Sequence, residues 1–177
     1  MKVLIICKPD CLDNNLDQET RTKHLEGIHK DFSGEIFRIL GGNGWKTVKS
    51  KKIEKLSEDM LDKHYNGIGT LTARLTESKG ADFAKKVIDS TFSYMQRGPV
   101  IVSVIEKDVE DEEAALKALR SNVIGSTRPW EANPGSIREL FGCKDATHNP
   151  IENVVHCSGS VDEAKQEVEL WSQVFDE

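Results

Sequence analysis

The residue best placed to do chemistry in this 177-residue sequence is His156, which follows Asn153-Val154-Val155 and precedes Cys157-Ser158. It ends a β-branched run just before a helix start, where unpaired backbone N–H groups favour anions. Glu167 lies further along the helix that Ser160 opens, seven residues on, so the two share one side of an α-helix to within about 20°. An imidazole there is a candidate nucleophile, because its unperturbed pKa of about 6.5 leaves a neutral nitrogen with a free lone pair at pH 7. Taken alone, a histidine at this position is more often structural, and Lys8, Arg138 and Glu167 read as ordinary polar residues.

The elements that must position these groups are legible in outline. Val3 to Cys7 is an apolar run cut by Lys8-Pro9-Asp10 and reads as a buried strand. Ile36, Phe37, Ile39 and Leu40 have helical spacing, with Gly41-Gly42-Asn43-Gly44 as a left-handed stop. Trp45 to Ile53 is a second, more polar strand, and Ser57 caps a helix through Tyr65. Leu71 to Gly80 reads as a polar connection, whereas Phe83, Val87, Ile88, Phe92 and Met95 recur at helical spacing up to Gly98-Pro99. Val100 to Ile105 is the best strand and central in its sheet, followed by an acidic-started helix from Asp108 to Leu119. Gly125 to Pro150 is a breaker-rich loop, Asn153 to Cys157 the last strand, and Ser160 with Glu163 forms a capping box. The final helix buries Val161, Ala164, Val168, Trp171 and Phe175. This alternation leaves a doubly wound parallel sheet and a split βαβ sandwich both open. Strand alternation also puts Asn153 and His156 on opposite faces unless the strand bends.

Composition narrows the partners. Twenty-four Lys and Arg against 30 Asp and Glu give a net charge of -6, a field that repels polyanions, so nucleic acid is not expected. A local cationic cluster still holds a small anion within a Debye length of about 8 to 10 Å. No signal or spanning segment precedes Lys8, so a cytoplasmic protein with no membrane contact is expected. Four cysteines do not make a disulfide framework. Cys143, His148, His156 and Cys157 lack the paired spacing of a zinc site, and Gly41-Gly42-Asn43-Gly44-Trp45 lacks the Lys and Ser/Thr of a P-loop. The length fits one domain over residues 1–177.

Several blocks together carry more than any one residue. Asn153-Val154-Val155-His156 with Ser158 resembles the N-x-x-H-G-S-D-S signature of nucleoside diphosphate kinases. Lys8-Pro9-Asp10, His64-Tyr65, Gly98-Pro99-Val100, Gly125-Ser126-Thr127 and Pro134-Gly135-Ser136-Ile137-Arg138 keep that family's order. The resemblance implies a ferredoxin-like α/β (α+β) sandwich with a four-stranded antiparallel sheet, with added length near 11–33, 66–82 and 144–150. It implies ping-pong transfer of a γ-phosphoryl group between nucleoside tri- and diphosphates, Mg2+ as cofactor, and a homo-oligomer of four or six subunits. By resemblance His156 is the nucleophile, Lys8 contacts the transferring phosphate and Glu167 orients the ring. Arg138 and Thr127 hold phosphates, Tyr65 supports the site, Asn153 reaches the ribose and Val87 falls where an aromatic commonly stacks on the base.

The sequence departs from the pattern at Cys11 and Cys157, which replace glycines, and at Gly159, which replaces the signature's acid. Ser121 stands where an arginine is expected, so Arg120 must serve with a one-residue shift. These departures prompt an alternative, a nucleotide-binding regulatory module with weakened transfer. A third idea is thiol regulation, if the basic pocket lowers the Cys157 pKa.

Overall fold

The structure is a computed structural model and describes residues 1–12, 31–68, 71–147 and 149–176. Four strands form one sheet in the order β2-β3-β1-β4, every pair antiparallel: β1 is Lys2–Cys7, β2 Lys46–Ile53, β3 Val100–Glu106 and β4 Val155–Cys157. The two most apolar runs, β1 and β3, pair in the middle, while the lysine-rich β2 takes an exposed edge. The antiparallel pairing excludes the doubly wound parallel arrangement.

The period of two along β1 sorts its side chains into two cores. Val3, Ile5 and Cys7 join Ile36, Leu40, Leu119, Ile137 and Phe141 on one face. Leu4 and Ile6 join Leu61, Ile88, Tyr94, Met95 and Trp171 on the other. Helices therefore cover both faces of an α+β sandwich. They are α1 (Pro9–Leu12), α2 (Ser33–Gly42), α3 (Glu58–Asp62), α4 (Leu71–Lys79), α5 (Ala81–Met95), α6 (Glu112–Ala118), α7 (Ile137–Phe141) and α8 (Val161–Asp176).

Several boundaries differ from the sequence reading. Leu71 to Gly80 is no connection: its first nine residues form α4, which packs on α5. Leu, Ala, Arg, Glu and Lys carry good helix propensity without an apolar stripe, so periodicity missed it. The helix expected over Asp108–Leu119 starts later, capped by Asp111, whose side chain accepts the Ala114 N–H. It then widens into a π turn over Leu119–Ile124. The Ser57-capped helix likewise widens, over Lys63–Ile68, and this second π turn carries His64 and Tyr65. Such turns often mark functional positions. Gly41 and Gly42 lie inside α2, and only Gly44 of that glycine cluster has a positive φ, 82°. Of the segment 11–33, residues 13–30 lie outside the described residues, as do Gly69 and His148.

The correction that matters for the site is in the last strand, which begins at Val155 rather than Asn153. Val154 has φ 63°, a left-handed conformation that costs a β-branched residue about 1–3 kcal/mol. Two buried bonds hold it: the Val154 N–H donates to Asp10 Oδ2 at 2.9 Å, and its carbonyl accepts the Lys8 N–H at 2.9 Å. Asp10 is itself fixed by the Tyr94 hydroxyl. The resulting kink cancels the alternation and brings Asn153 to the same site as His156.

Candidate active site

His156 sits on β4 opposite Ile6 of β1, its side chain 17% exposed. Its Nε2 lies 3.2 Å from each oxygen of Glu167, which projects from α8 and is buried. Burial alone would raise the Glu167 pKa. The charge and hydrogen bond of His156, with His64 and Ser158, outweigh it and hold the carboxyl below its ordinary value. An ionised carboxylate only accepts, so in the neutral ring His156 Nε2 is the protonated nitrogen and Nδ1 carries the lone pair. Nδ1 has no partner among the described residues.

The carboxylate is itself clamped. Ser158 Oγ donates to Glu167 Oε2 at 2.5 Å, and His64 Nε2 stands 3.7 Å from Oε1. Trp171, one turn beyond Glu167 on the same face of α8, donates its Nε1–H to His64 Nδ1 at 3.2 Å. Indole nitrogen is only a donor, so His64 is fixed as the tautomer protonated at Nε2. Burial, helped by the charge of His156, depresses its pKa to about 3, so this ring stays neutral. It meets the His156 ring edge to face, centroids 4.6 Å apart.

Two cations border the nucleophile's cleft. Lys8, read as an ordinary strand-end charge when judged alone, is only 6% exposed. Its Nζ donates to Asn153 Oδ1 at 2.7 Å and to the Ile151 carbonyl at 3.0 Å. Burial, with Arg138 nearby, lowers its pKa to about 7 despite Asp10 and Glu152. Arg138 donates to the carbonyls of Gly125 (3.1 Å) and Val155 (2.8 Å), while its buried Nε has no hydrogen-bond partner. Burial lowers the Arg138 pKa to about 10. Both groups are desolvated cations with incomplete compensation, a state that an anion would relieve.

All nine residues singled out in the sequence, Lys8, Tyr65, Val87, Arg120, Thr127, Arg138, Asn153, His156 and Glu167, line one cleft of about 1260 Å³. Tyr65 is buried, its ring centroid 6.4 Å from that of His156. Thr127 offers its carbonyl to Asn153 Nδ2 at 2.9 Å. The shifted arginine reaches the site after all: Arg120 Nη1 donates to the Gly159 carbonyl at 2.6 Å. The acid missing at Gly159 is replaced in space. Glu163 Oε2 accepts the Gly159 N–H at 3.0 Å, and a Cβ built on Gly159 would collide with this carboxylate.

One sequence idea fails. Cys157 is no activated thiol: burial pushes its pKa up to about 12, more than Arg138 and Arg120 can pull it down. For zinc, His148 lies outside the described residues, and the one group of candidate ligands among the described residues is His64, His156 and Glu167. That set fits a metal poorly, since the lone pair of His64 is spent on Trp171. The sequence reading had given no chemical role at the site to His64, Trp171 or Asp10. The four-residue spacing of Glu167 and Trp171 was the available signal, placing both on one helix face.

Residues 2–176 match the family model for nucleoside diphosphate kinase. A nucleoside diphosphate kinase of Caldanaerobacter subterraneus subsp. tengcongensis is 34% identical over 146 residues, 82% of this chain and 86% of the relative. One from Streptococcus pneumoniae (strain P1031) is 30% identical over 146 residues, 82% and 92% of the two chains. Among solved structures, a nucleoside diphosphate kinase from Borrelia burgdorferi with bound vanadate and ADP superimposes with TM-score 0.69 at 24% identity, covering 97% of this chain and 86% of that one. A family protein from Babesia bovis gives 0.61 at 27%, covering 96% and 86%. The chain belongs to the nucleoside diphosphate kinase family. Its fold is that family's ferredoxin-like sandwich, and it is an enzyme of the class, a nucleotide-binding transferase.

Proposed function

We propose that the protein moves the γ-phosphoryl group of a nucleoside triphosphate to a nucleoside diphosphate through a phosphohistidine at His156. The observation that carries this is the single neutral tautomer favoured at His156: Glu167 accepts the hydrogen bond of Nε2–H, leaving a bare Nδ1 in a cleft lined by desolvated cations. The Nδ1 lone pair attacks the γ-phosphorus as the bond from that phosphorus to the bridging oxygen breaks, and the nucleoside diphosphate leaves. In the second half, a terminal phosphate oxygen of the acceptor attacks the same phosphorus and the N–P bond breaks, returning both electrons to Nδ1.

Lys8, Arg138, Arg120 and Thr127 are read as the phosphate contacts and Tyr65 as their support. Asn153 holds Lys8 and the Thr127 carbonyl with one donor and one acceptor site and keeps the others for a ribose hydroxyl. Magnesium fits as an ion carried by the nucleotide's phosphates, which suits its preference for oxygen ligands and retained water. Glu163 is the carboxylate that would face it, and the ion would neutralise phosphate charge. A homo-oligomeric cytoplasmic enzyme, one domain over 1–177, completes the reading.

Incubation with γ-labelled ATP is expected to leave an acid-labile label on the protein, and GDP then to remove it as labelled GTP. No label would overturn the covalent step, and label that GDP does not discharge would overturn transfer.

Lys8 predicts a pH dependence. The unliganded pKa of about 7 must rise when a phosphate occupies the cleft, so above pH 7 the complex binds more protons than the free protein and affinity falls with rising pH. Calorimetry of ADP binding at pH 8 in buffers of different ionisation enthalpy should show net proton uptake. Zero uptake would remove Lys8 from the phosphate.

A further inference from the structure

Strand β4 ends at Cys157 and α8 begins at Val161, so Ser158, Gly159 and Ser160 form the whole connection beyond the nucleophile. Ser160 caps the helix, its Oγ accepting the Glu163 N–H at 3.1 Å. In a capping box the glutamate reaches back to the N–H of the cap residue itself. Here it reaches one residue further, and Glu163 Oε2 accepts the Gly159 N–H at 3.0 Å. The Gly159 carbonyl in turn accepts Arg120 Nη1–H at 2.6 Å. One residue, three positions past His156, is thus gripped by an anion and a cation, and all three side of the cleft's wall.

Gly159 is not one of the glycines with positive φ, so its backbone accepts a side chain. What excludes a Cβ there is the Glu163 carboxylate. A side chain at 159 and the carboxylate of 163 compete for one place, and this chain gives it to the carboxylate. The other acids lining the cleft are Glu113, Glu131 and Glu167. Glu167 is committed to His156 and Ser158, Glu131 pairs with Arg128, and Glu113 is exposed on α6. Glu163 is half-buried and anchored to the backbone beside the nucleophile's strand.

We infer that Glu163 makes the cleft select the magnesium-bound nucleotide over the free one, and that Gly159 lacks a side chain so that this carboxylate can stand there. This deepens the phosphotransfer reading and rests on it. A fixed negative charge beside Arg120 opposes a bare polyphosphate, because like charges brought together are costly. It favours a polyphosphate carrying a divalent cation, whose retained water donates hydrogen bonds to a carboxylate.

The test measures ADP affinity by calorimetry, once with excess Mg2+ and once with EDTA, for the wild-type chain and for Glu163→Gln. Glutamine keeps a carbonyl oxygen for the Gly159 N–H and loses only the charge, so a capping role alone would leave both affinities as they were. The wild-type chain is expected to bind ADP more tightly with magnesium. In Glu163→Gln that preference should fall about tenfold, through weaker binding with magnesium and equal or tighter binding without it. An unchanged preference, or none in the wild-type chain, would overturn the inference, and so would equal weakening under both conditions. In Gly159→Asp/Glu163→Ala the acid moves to the other residue, and the preference should return. A double variant that binds metal-free ADP normally but shows no preference would overturn the shared place. Labelling of His156 by γ-labelled ATP is read separately on the wild-type chain, so failure of the covalent step would not be mistaken for failure of this selection.

Discussion

Alanine at position 156 is expected to lower kcat/KM by more than about a thousandfold, ~4 kcal/mol of transition-state stabilisation, and to abolish the acid-labile label. The proposed covalent route depends on one atom, Nδ1, and no other nucleophile among the described residues shares its setting. The lone pair of His64 is committed to Trp171, and Cys157 is held as a thiol. Steady-state rates and labelling in parallel read the effect. A variant keeping more than a thousandth of the wild-type rate would show that phosphate passes by another path.

Glu167→Gln should cost about a hundredfold in kcat while leaving ADP affinity close to that of the wild type. The change is nearly isosteric, but the amide lets Nε2 accept a hydrogen bond and so permits the tautomer with its proton on Nδ1, where the lone pair is needed. A carboxylate-to-amide change beside a catalytic histidine in a serine protease costs about 10⁴-fold for this reason. The separation of kcat from binding is the diagnostic measurement. Equal loss in both would mean that Glu167 matters through packing alone.

Much of this site was legible before any coordinates. His156, Glu167, Lys8 and Arg138 were marked by the ordered blocks that resemble the family, and they line one cleft. What was hidden depends on contacts that no local pattern encodes. The bend at Val154 comes from Asp10, 144 positions away in sequence, so strand periodicity wrongly separated Asn153 from His156. The carboxylate of Glu163 was legible as half of a capping box, but not as the group filling the space beside Gly159. Helix α4 was missed because a solvated helix has no apolar stripe for periodicity to detect.

The kink at Val154 has one more consequence. A left-handed valine stays in place only because the surrounding bonds leave it no alternative, so its cost is met once, when the chain folds. Asparagine, lysine and the imidazole then stand in working order before any substrate arrives, and little binding free energy is diverted into arranging them. The enzyme greets each nucleotide with a finished mould, and catalysis starts from a scaffold already tensioned.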